Sequence, residues 1–206
     1  MLKLWGRVNS INVQKVLWAL DELRVAYERV DAGLQFGVVN EPFYRRMNPN
    51  GRVPTIEDDG LVLWESNAIV RYLAAKHGQG TLWPADLRTR ADADRWMDWC
   101  TSTLAPAMTP VFWGLVRTPP EKRDAAKIAA GVEQCVKALE LFDGCLAERE
   151  YVAGKNFTMG DIPVGTFVHR WYALPLERPK LPNVEAYYAR LKARPAYAGH
   201  VARPLS

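Results

Sequence analysis

Residues 48–73, which read NPNGRVPTIEDDGLVLWESNAIVRYL, hold the densest structural signals in the chain. The run opens on an Asn-Pro-Asn-Gly turn, and the Asp58-Asp59-Gly60 turn then separates two short segments rich in β-forming residues. Asp-Gly between two such segments is a strong hairpin signal. Ser66 next opens a helix expected to reach residue 76, which His77-Gly78 would end. The stretch therefore predicts a hairpin followed by a helix.

The preceding residues extend this pattern toward the N-terminus. Residues 2–5 predict a strand, residues 10–23 a helix with apolar side chains at helical spacing, and residues 26–30 a second strand. A strand–helix–strand unit implies parallel pairing of its strands. Residues 41–47 predict a short helix. The resulting order is βαβαββα, complete by about residue 77.

The remainder of the chain carries helical periodicity and lacks strand signals. Helices are predicted within residues 87–104, 120–150, 161–172 and 184–193. We therefore predict an α+β protein with an α/β domain at 1–77, a linker at 78–86 and an all-helical domain at 87–206.

Composition argues against several classes of protein. The 206 residues carry a net charge of +4, from 27 basic and 23 acidic residues, without the basic stripe of a nucleic-acid-binding protein. Neither a signal peptide nor a membrane-spanning run is visible, so no membrane association is expected. Three cysteines without a Cys-x-x-Cys pair and three scattered histidines indicate reduced thiols, a cytoplasmic protein and no metal site.

Two pieces of the opening stretch, Arg52-Val53-Pro54 and Glu65-Ser66, resemble the glutathione-binding segment of the cytosolic glutathione transferase superfamily. Residues 156–162, NFTMGDI, resemble the helix-capping motif of the same family. The resemblance is to theta-like bacterial members that use serine or asparagine. It implies a thioredoxin-like N-terminal domain, a cis peptide bond before Pro54, glutathione as co-substrate, a role in detoxification and a homodimer.

The resemblance also implies roles for the binding residues. The main chain of Val53 would pair with the cysteinyl backbone of glutathione. Ser66, at a helix N-terminus, would hold the γ-glutamyl carboxylate, and Glu65 would take the adjacent ammonium group. Arg52 would contact the glycyl end, although a solvated arginine in a turn fits the sequence equally well. Ser66 can serve as a helix cap at the same time.

The turn after the first strand contains the candidate catalytic residues, Ser10 and Asn12. Cysteine is absent from this turn, so disulfide exchange by a protein thiol is not expected. The resemblance implies that the Ser10 hydroxyl donates to the glutathione sulfur, and Asn12 is the second candidate. The alternative for Ser10 is a simple helix cap. Arg7 is a further residue that could reach the sulfur.

The second substrate is expected against the first long helix of the helical domain. Four residues are predicted to line its site: Trp96, Trp99, Thr103 and Trp113. The first three share one helix face, which suits a hydrophobic electrophile. The alternative for each is packing in the protein core.

Three functions agree with the sequence. The first is conjugation of glutathione to hydrophobic electrophiles. The second is a glutathione-dependent disulfide or peroxide reductase, favoured if Asn12 contacts the sulfur. The third is a non-catalytic binding protein on the same fold.

Overall fold

A four-stranded mixed sheet forms the centre of the N-terminal part in this computed structural model, which describes all 206 residues. The strands are β1 (Leu2–Trp5), β2 (Tyr27–Val30), β3 (Thr55–Asp58) and β4 (Leu61–Trp64). Their order across the sheet is β2-β1-β3-β4. β1 runs parallel to β2 and antiparallel to β3, with Leu4 opposite both Arg29 and Ile56. The hairpin and the parallel pair predicted from the sequence are therefore confirmed.

Helices in this part are α1 (Ile11–Glu22), α2 (Pro42–Met47) and α3 (Ser66–His77). α1 connects the parallel strands, and α3 follows the hairpin and packs beside α1. Apolar residues at helical spacing explain this packing, because Ile69, Val70 and Leu73 of α3 are all fully buried. The predicted order βαβαββα is confirmed.

Helices make up the rest of the chain. They are α4 (Leu87–Trp99), α5 (Ala105–Phe112), α6 (Ala125–Leu146), α7 (Asp161–Ala173), α8 (Pro182–Lys192) and α9 (Pro195–His200), with π-helical turns at Cys100–Leu104 and Trp113–Arg117. The predicted fold class is confirmed. The chain stays helical through Met108, with Pro110 inside α5. None of the helices is both long enough and apolar enough to cross a membrane.

The segment 78–86 contains neither helix nor strand beyond an isolated bridge between Gln79 and Trp83. Its Leu82 is buried, and the Leu82 carbonyl accepts a hydrogen bond of 2.9 Å from the Met159 N–H. The segment is thus fastened to the helical part of the molecule. The division at 1–77, 78–86 and 87–206 stays a prediction.

One hydrophobic core of 42 buried residues runs through both parts of the molecule. Trp18 of α1 lies inside it, with its ring 4.7 Å from that of Tyr197 and 5.3 Å from that of Phe157. At the end of α1, Glu22 accepts hydrogen bonds of 2.8 and 2.6 Å from the Arg194 guanidinium. α1 therefore packs against α3 on one side and against α7 and α9 of the helical part on the other.

Asp161 occupies the buried start of α7. Its carboxylate accepts hydrogen bonds from the Val152 N–H (2.9 Å), the Thr158 N–H (2.8 Å) and the Tyr187 hydroxyl (3.1 Å). In the helix-capping motif at 156–162, the Thr158 hydroxyl also donates to this carboxylate, so the cap is not reciprocal. Burial raises the pKa of Asp161 to about 6, although these donors act in the opposite direction.

Asp161→Ala is expected to lower the free energy of unfolding by about 3 kcal/mol, because it leaves buried donors unpaired. The exposed N-cap Asp124, which accepts only from the Lys127 N–H at 2.9 Å, is the matched control. Asp124→Ala should cost about 1 kcal/mol. Urea unfolding measures the loss of unfolding free energy in both variants. Equal losses would contradict the larger contribution assigned to the buried Asp161.

The cost of Asp161→Ala should also depend on pH. Since the folded-state pKa of Asp161 is raised to about 6, its contribution to stability is complete below its ordinary pKa and is lost as the pH rises through 6. The cost should therefore be larger at about pH 5 than at about pH 7.5. A cost that grows with pH would contradict this direction.

Candidate functional site

A cleft of about 800 Å³ separates the sheet-containing part from the helical part. Its walls come from the turn after β1, the first residues of α1 and α3, the loop before β3, and one side of α4, α5 and α7. The cleft thus draws on segments that are distant in sequence. Among the predicted site residues, those on its wall are Ser10, Asn12, Arg52, Val53, Glu65, Ser66 and Trp113.

Ser10 is the last residue before α1. It is 8% exposed, and its hydroxyl makes no capping hydrogen bond to the helix. The view that Ser10 serves only as a cap therefore lacks the contact it requires. A hydroxyl beside free N–H groups at a helix N-terminus is well placed to stabilise an anion in the cleft.

Asn12 joins the N-termini of α1 and α3. The Ser66 hydroxyl donates a hydrogen bond of 3.3 Å to Asn12 Oδ1. The two helix N-termini therefore open onto the same cleft, and their dipoles reinforce each other. The carboxamide of Asn12 is partly committed to this contact.

The start of α3 combines free donors with a carboxylate. The first hydrogen bond of α3 runs from the Ile69 N–H to the Glu65 carbonyl (2.9 Å), and the preceding N–H groups of the helix have no main-chain partner. Glu65 itself has a left-handed φ of 71°, and its side chain does not cap the helix. Because free N–H groups lie beside an acidic side chain, this corner suits a ligand bearing a carboxylate and an ammonium group.

Val53 presents an unpaired stretch of main chain to the cleft. The Val53-Pro54 peptide bond is cis, as the resemblance implied. The Arg52 carbonyl is held by the Tyr44 hydroxyl (2.7 Å) and by Asn48 Nδ2 (2.9 Å), whereas the N–H and C=O of Val53 have no main-chain partner. Pro54 is buried behind this edge, and Arg52 lies exposed on the wall. An extended peptide can therefore pair with Val53.

Comparison with known proteins gives concordant results. Residues 1–75 match the family described as Glutathione S-transferase, N-terminal domain, and residues 125–190 match Glutathione S-transferase, C-terminal domain. The chain is 45% identical over 208 residues to glutathione S-transferase GstB of Escherichia coli K12, covering 100% of both chains. The chain belongs to the glutathione S-transferase family.

Solved structures place this transferase among known folds. The theta-class glutathione S-transferase of Xanthomonas axonopodis pv. citri, solved with glutathione bound, shares 50% identity and superposes with a TM-score of 0.96, covering 100% of this chain and 99% of that one. Maize glutathione S-transferase I, in complex with an atrazine glutathione conjugate, shares 27% identity with a TM-score of 0.88, covering 98% and 96%.

The predicted substrate wall of the transferase needs correction. Trp96, Trp99 and Thr103 do not line the cleft. The rings of Trp96 and Trp99 lie 5.1 and 5.8 Å from that of Phe142. Trp96 is buried and the half-buried Trp99 packs against the core, because burying large aromatic rings is strongly stabilising. Thr103 is exposed to solvent away from the cleft.

The side of the helix that faces the cleft is a different one. Its residues recur at helical spacing and are Asp98, Thr101, Ala105, Thr109 and Phe112. Trp113, the fourth residue predicted to contact the second substrate, does lie on the wall with 55% of its surface exposed. The transferase therefore presents a more polar wall than the sequence suggested.

Sequence reasoning missed two buried cations on the wall, Lys15 of α1 and Arg170 of α7. Lys15 is 5% exposed, and its Nζ lies 3.5 Å from Asn67 Oδ1. Burial lowers the pKa of Lys15, and burial lowers that of Arg170 to about 9, with a smaller contribution from Arg117. The available signal was a basic residue next to a buried apolar one, Val16 beside Lys15 and Trp171 beside Arg170.

The cysteines of the transferase lie away from the cleft wall. Cys100 and Cys135 are buried, and burial raises the pKa of each to about 12, whereas Cys145 is exposed. No group of three or more histidine, cysteine or acidic side chains is arranged to hold a metal ion.

Ellman's reagent should therefore titrate one thiol in the native transferase and all three in denaturant, because only Cys145 is accessible. Cys145→Ser should titrate none when native and two when denatured. Rapid reaction of a second thiol in the native protein would show that Cys100 or Cys135 is accessible to the reagent and would contradict its burial.

Proposed function

We propose that this transferase binds glutathione along the Val53 edge and the start of α3, and transfers its thiolate to an electrophile held against α4 and α5. The observation that carries the proposal is the convergence on one cleft of the unpaired Val53 main chain, two open helix N-termini and the Ser10 hydroxyl. The glutathione found in the Xanthomonas axonopodis relative supports it.

Each part of the tripeptide has a matching group. The γ-glutamyl carboxylate would meet the N–H groups at the start of α3 and the Ser66 hydroxyl, and its ammonium would meet Glu65. The cysteinyl backbone would pair with Val53 next to the buried Pro54. The exposed Arg52, which forms no ion pair, is available to the glycyl carboxylate. These contacts direct the sulfur toward the turn after β1.

At that turn the task is to stabilise a thiolate. A free thiol has a pKa of about 8.5, so little of it is nucleophilic at neutral pH. Lowering that pKa to about 6.5 requires about 3 kcal/mol, which a hydroxyl donor and the N-terminus of α1 can supply together. The thiolate then attacks the electrophilic centre, while the protein holds both reactants in position.

Ser10 is preferred over Asn12 as the donor to sulfur. The contact of Asn12 Oδ1 with Ser66 places Asn12 beside the start of α3, where the γ-glutamyl group is expected, whereas the Ser10 hydroxyl directly precedes α1 and is not engaged in capping. Conjugation is accordingly preferred over the reductase function that Asn12 would favour. The unpaired main chain of Val53 and the free N–H groups at the start of α3 argue against a non-catalytic protein on the same fold.

Ser10→Ala should reduce the rate of chlorodinitrobenzene conjugation about 10- to 1000-fold and raise the pKa of bound glutathione, because the thiolate loses a hydrogen-bond donor. Steady-state rates and the ultraviolet absorbance of the thiolate measure the two effects. Ser102→Ala, at an exposed serine outside the cleft, is the matched control and should have no effect.

Two results would contradict the proposal. If Ser10→Ala kept full activity while Asn12→Ala lost it, Asn12 rather than Ser10 would be the donor to the glutathione sulfur. If the protein reduced hydroxyethyl disulfide faster than it conjugated chlorodinitrobenzene, the reductase function would be favoured. Calorimetry that detects no uptake of millimolar glutathione by the folded wild type would exclude the function altogether.

We also propose that the transferase is a cytoplasmic homodimer. Its three free thiols fit a reducing compartment, and the family typically forms dimers. Light scattering should give about twice the chain mass of 23.3 kDa. A mass of a single chain at micromolar concentration would refute the dimer.

A further inference from the structure

Basic side chains outnumber acidic ones on the cleft wall. The basic residues are Arg7, Lys15, Arg52, Arg71, Arg117 and Arg170, and the acidic residues are Glu65 and Asp98. Arg71 is neutralised, since it donates to Asp94 at 2.5 Å and to Asp98 at 2.6 Å. Glu65 is the one carboxylate on the wall that forms no ion pair.

Glutathione does not balance this charge. In its thiolate form it carries three anionic groups and one ammonium, and the ammonium is assigned to Glu65. The wall therefore keeps an excess of positive charge after glutathione is bound. That excess is available to the second substrate.

Arg170 is the most enclosed arginine of this group. It is 9% exposed, its Cζ lies 3.8 Å from the centre of the Phe112 ring, and its Nε has no hydrogen-bond partner. A buried charge without a counter-ion is costly, so an anion placed against it is strongly favoured.

The charged groups near Arg170 further favour the binding of an anion. Arg117 and Lys15 are cations, and each repels Arg170 electrostatically. Arg117 donates a hydrogen bond to the Ser206 main-chain oxygen and lies 5.7 Å from the Phe112 ring. Arg7 lies close enough to Arg117 to repel it, and the Arg7 Nε is also buried without a partner.

We propose that the second substrate of this transferase is an electrophile that carries a carboxylate, which Arg170 binds with the help of Arg7 and Arg117. The inference rests on the proposed transferase function and adds a carboxylate to the hydrophobic electrophile expected from the sequence. The exposed indole of Trp113 supplies the apolar surface for the rest of the substrate.

A matched pair of aryl chlorides tests the proposal, 4-chloro-3-nitrobenzoate and the neutral 4-chloro-3-nitrobenzamide. In both, the glutathione sulfur forms a bond to the ring carbon that bears chlorine, and the carbon–chlorine bond then breaks to release chloride. The thiol proton passes to solvent. The two substrates differ mainly in the charge opposite the leaving group.

The measured quantity is kcat/KM divided by the rate constant of the uncatalysed reaction with glutathione, which removes the intrinsic difference in reactivity. For the wild type this ratio should be at least about 10-fold higher for the benzoate than for the benzamide, the size expected of one charged hydrogen bond. Arg170→Met should reduce that preference about 10-fold, which brings the two ratios close to equality, and Arg170→Lys should keep most of it. Arg88→Met, at an exposed arginine outside the cleft, should keep it unchanged.

Equal ratios for the two substrates in the wild type would overturn the inference while leaving the transferase function intact, and this comparison does not depend on whether any variant folds. A variant Arg170→Met that slows both substrates equally and raises the pKa of bound glutathione would also overturn it, because Arg170 would then serve the sulfur. Failure of the proposed function is separately visible as absence of glutathione binding by calorimetry.

Discussion

The burial of α1 on both sides is the constraint on which the rest of the structure depends. Val13, Val16 and Leu20 are fully buried, and Trp18 packs against rings of the helical part. A helix held on opposite sides has little freedom to shift, because interior packing is dense. Its N-terminus is consequently fixed toward the cleft, and Ser10 and Asn12 take their positions from it.

Electrostatics then define what this cleft can accept. Two helix N-termini meet at the contact between Asn12 and Ser66, and buried cations extend the positive potential across to α7. In an interior of low polarity such charges act strongly on a bound anion. The same environment that would stabilise a thiolate near Ser10 would also favour negative charge near Arg170. In the proposed function, binding of the second substrate and activation of the thiol would both follow from this positive potential.

Much of the fold was predictable because its signals are local. The hairpin turn, the helix start at Ser66 and the Val53-Pro54 pair each depend on a few neighbouring residues. The substrate wall was not predictable in the same way. Trp96 and Trp99 show helical spacing, but whether that face meets a cleft or a core depends on Phe142, far along the chain. Arg170 was missed because the local sequence of a buried helix does not show which side chains of other elements surround an arginine.

Exchange of whole halves between related transferases would disturb the shared core around Trp18. A chimera that joins residues 1–77 to the helical half of another transferase would set Trp18 against unfamiliar side chains in place of Tyr197 and Phe157. Poor packing there would tilt α1 and displace the turn that carries Ser10. Substrate choice in this architecture should therefore evolve by single replacements along the cleft more readily than by recombination of whole halves.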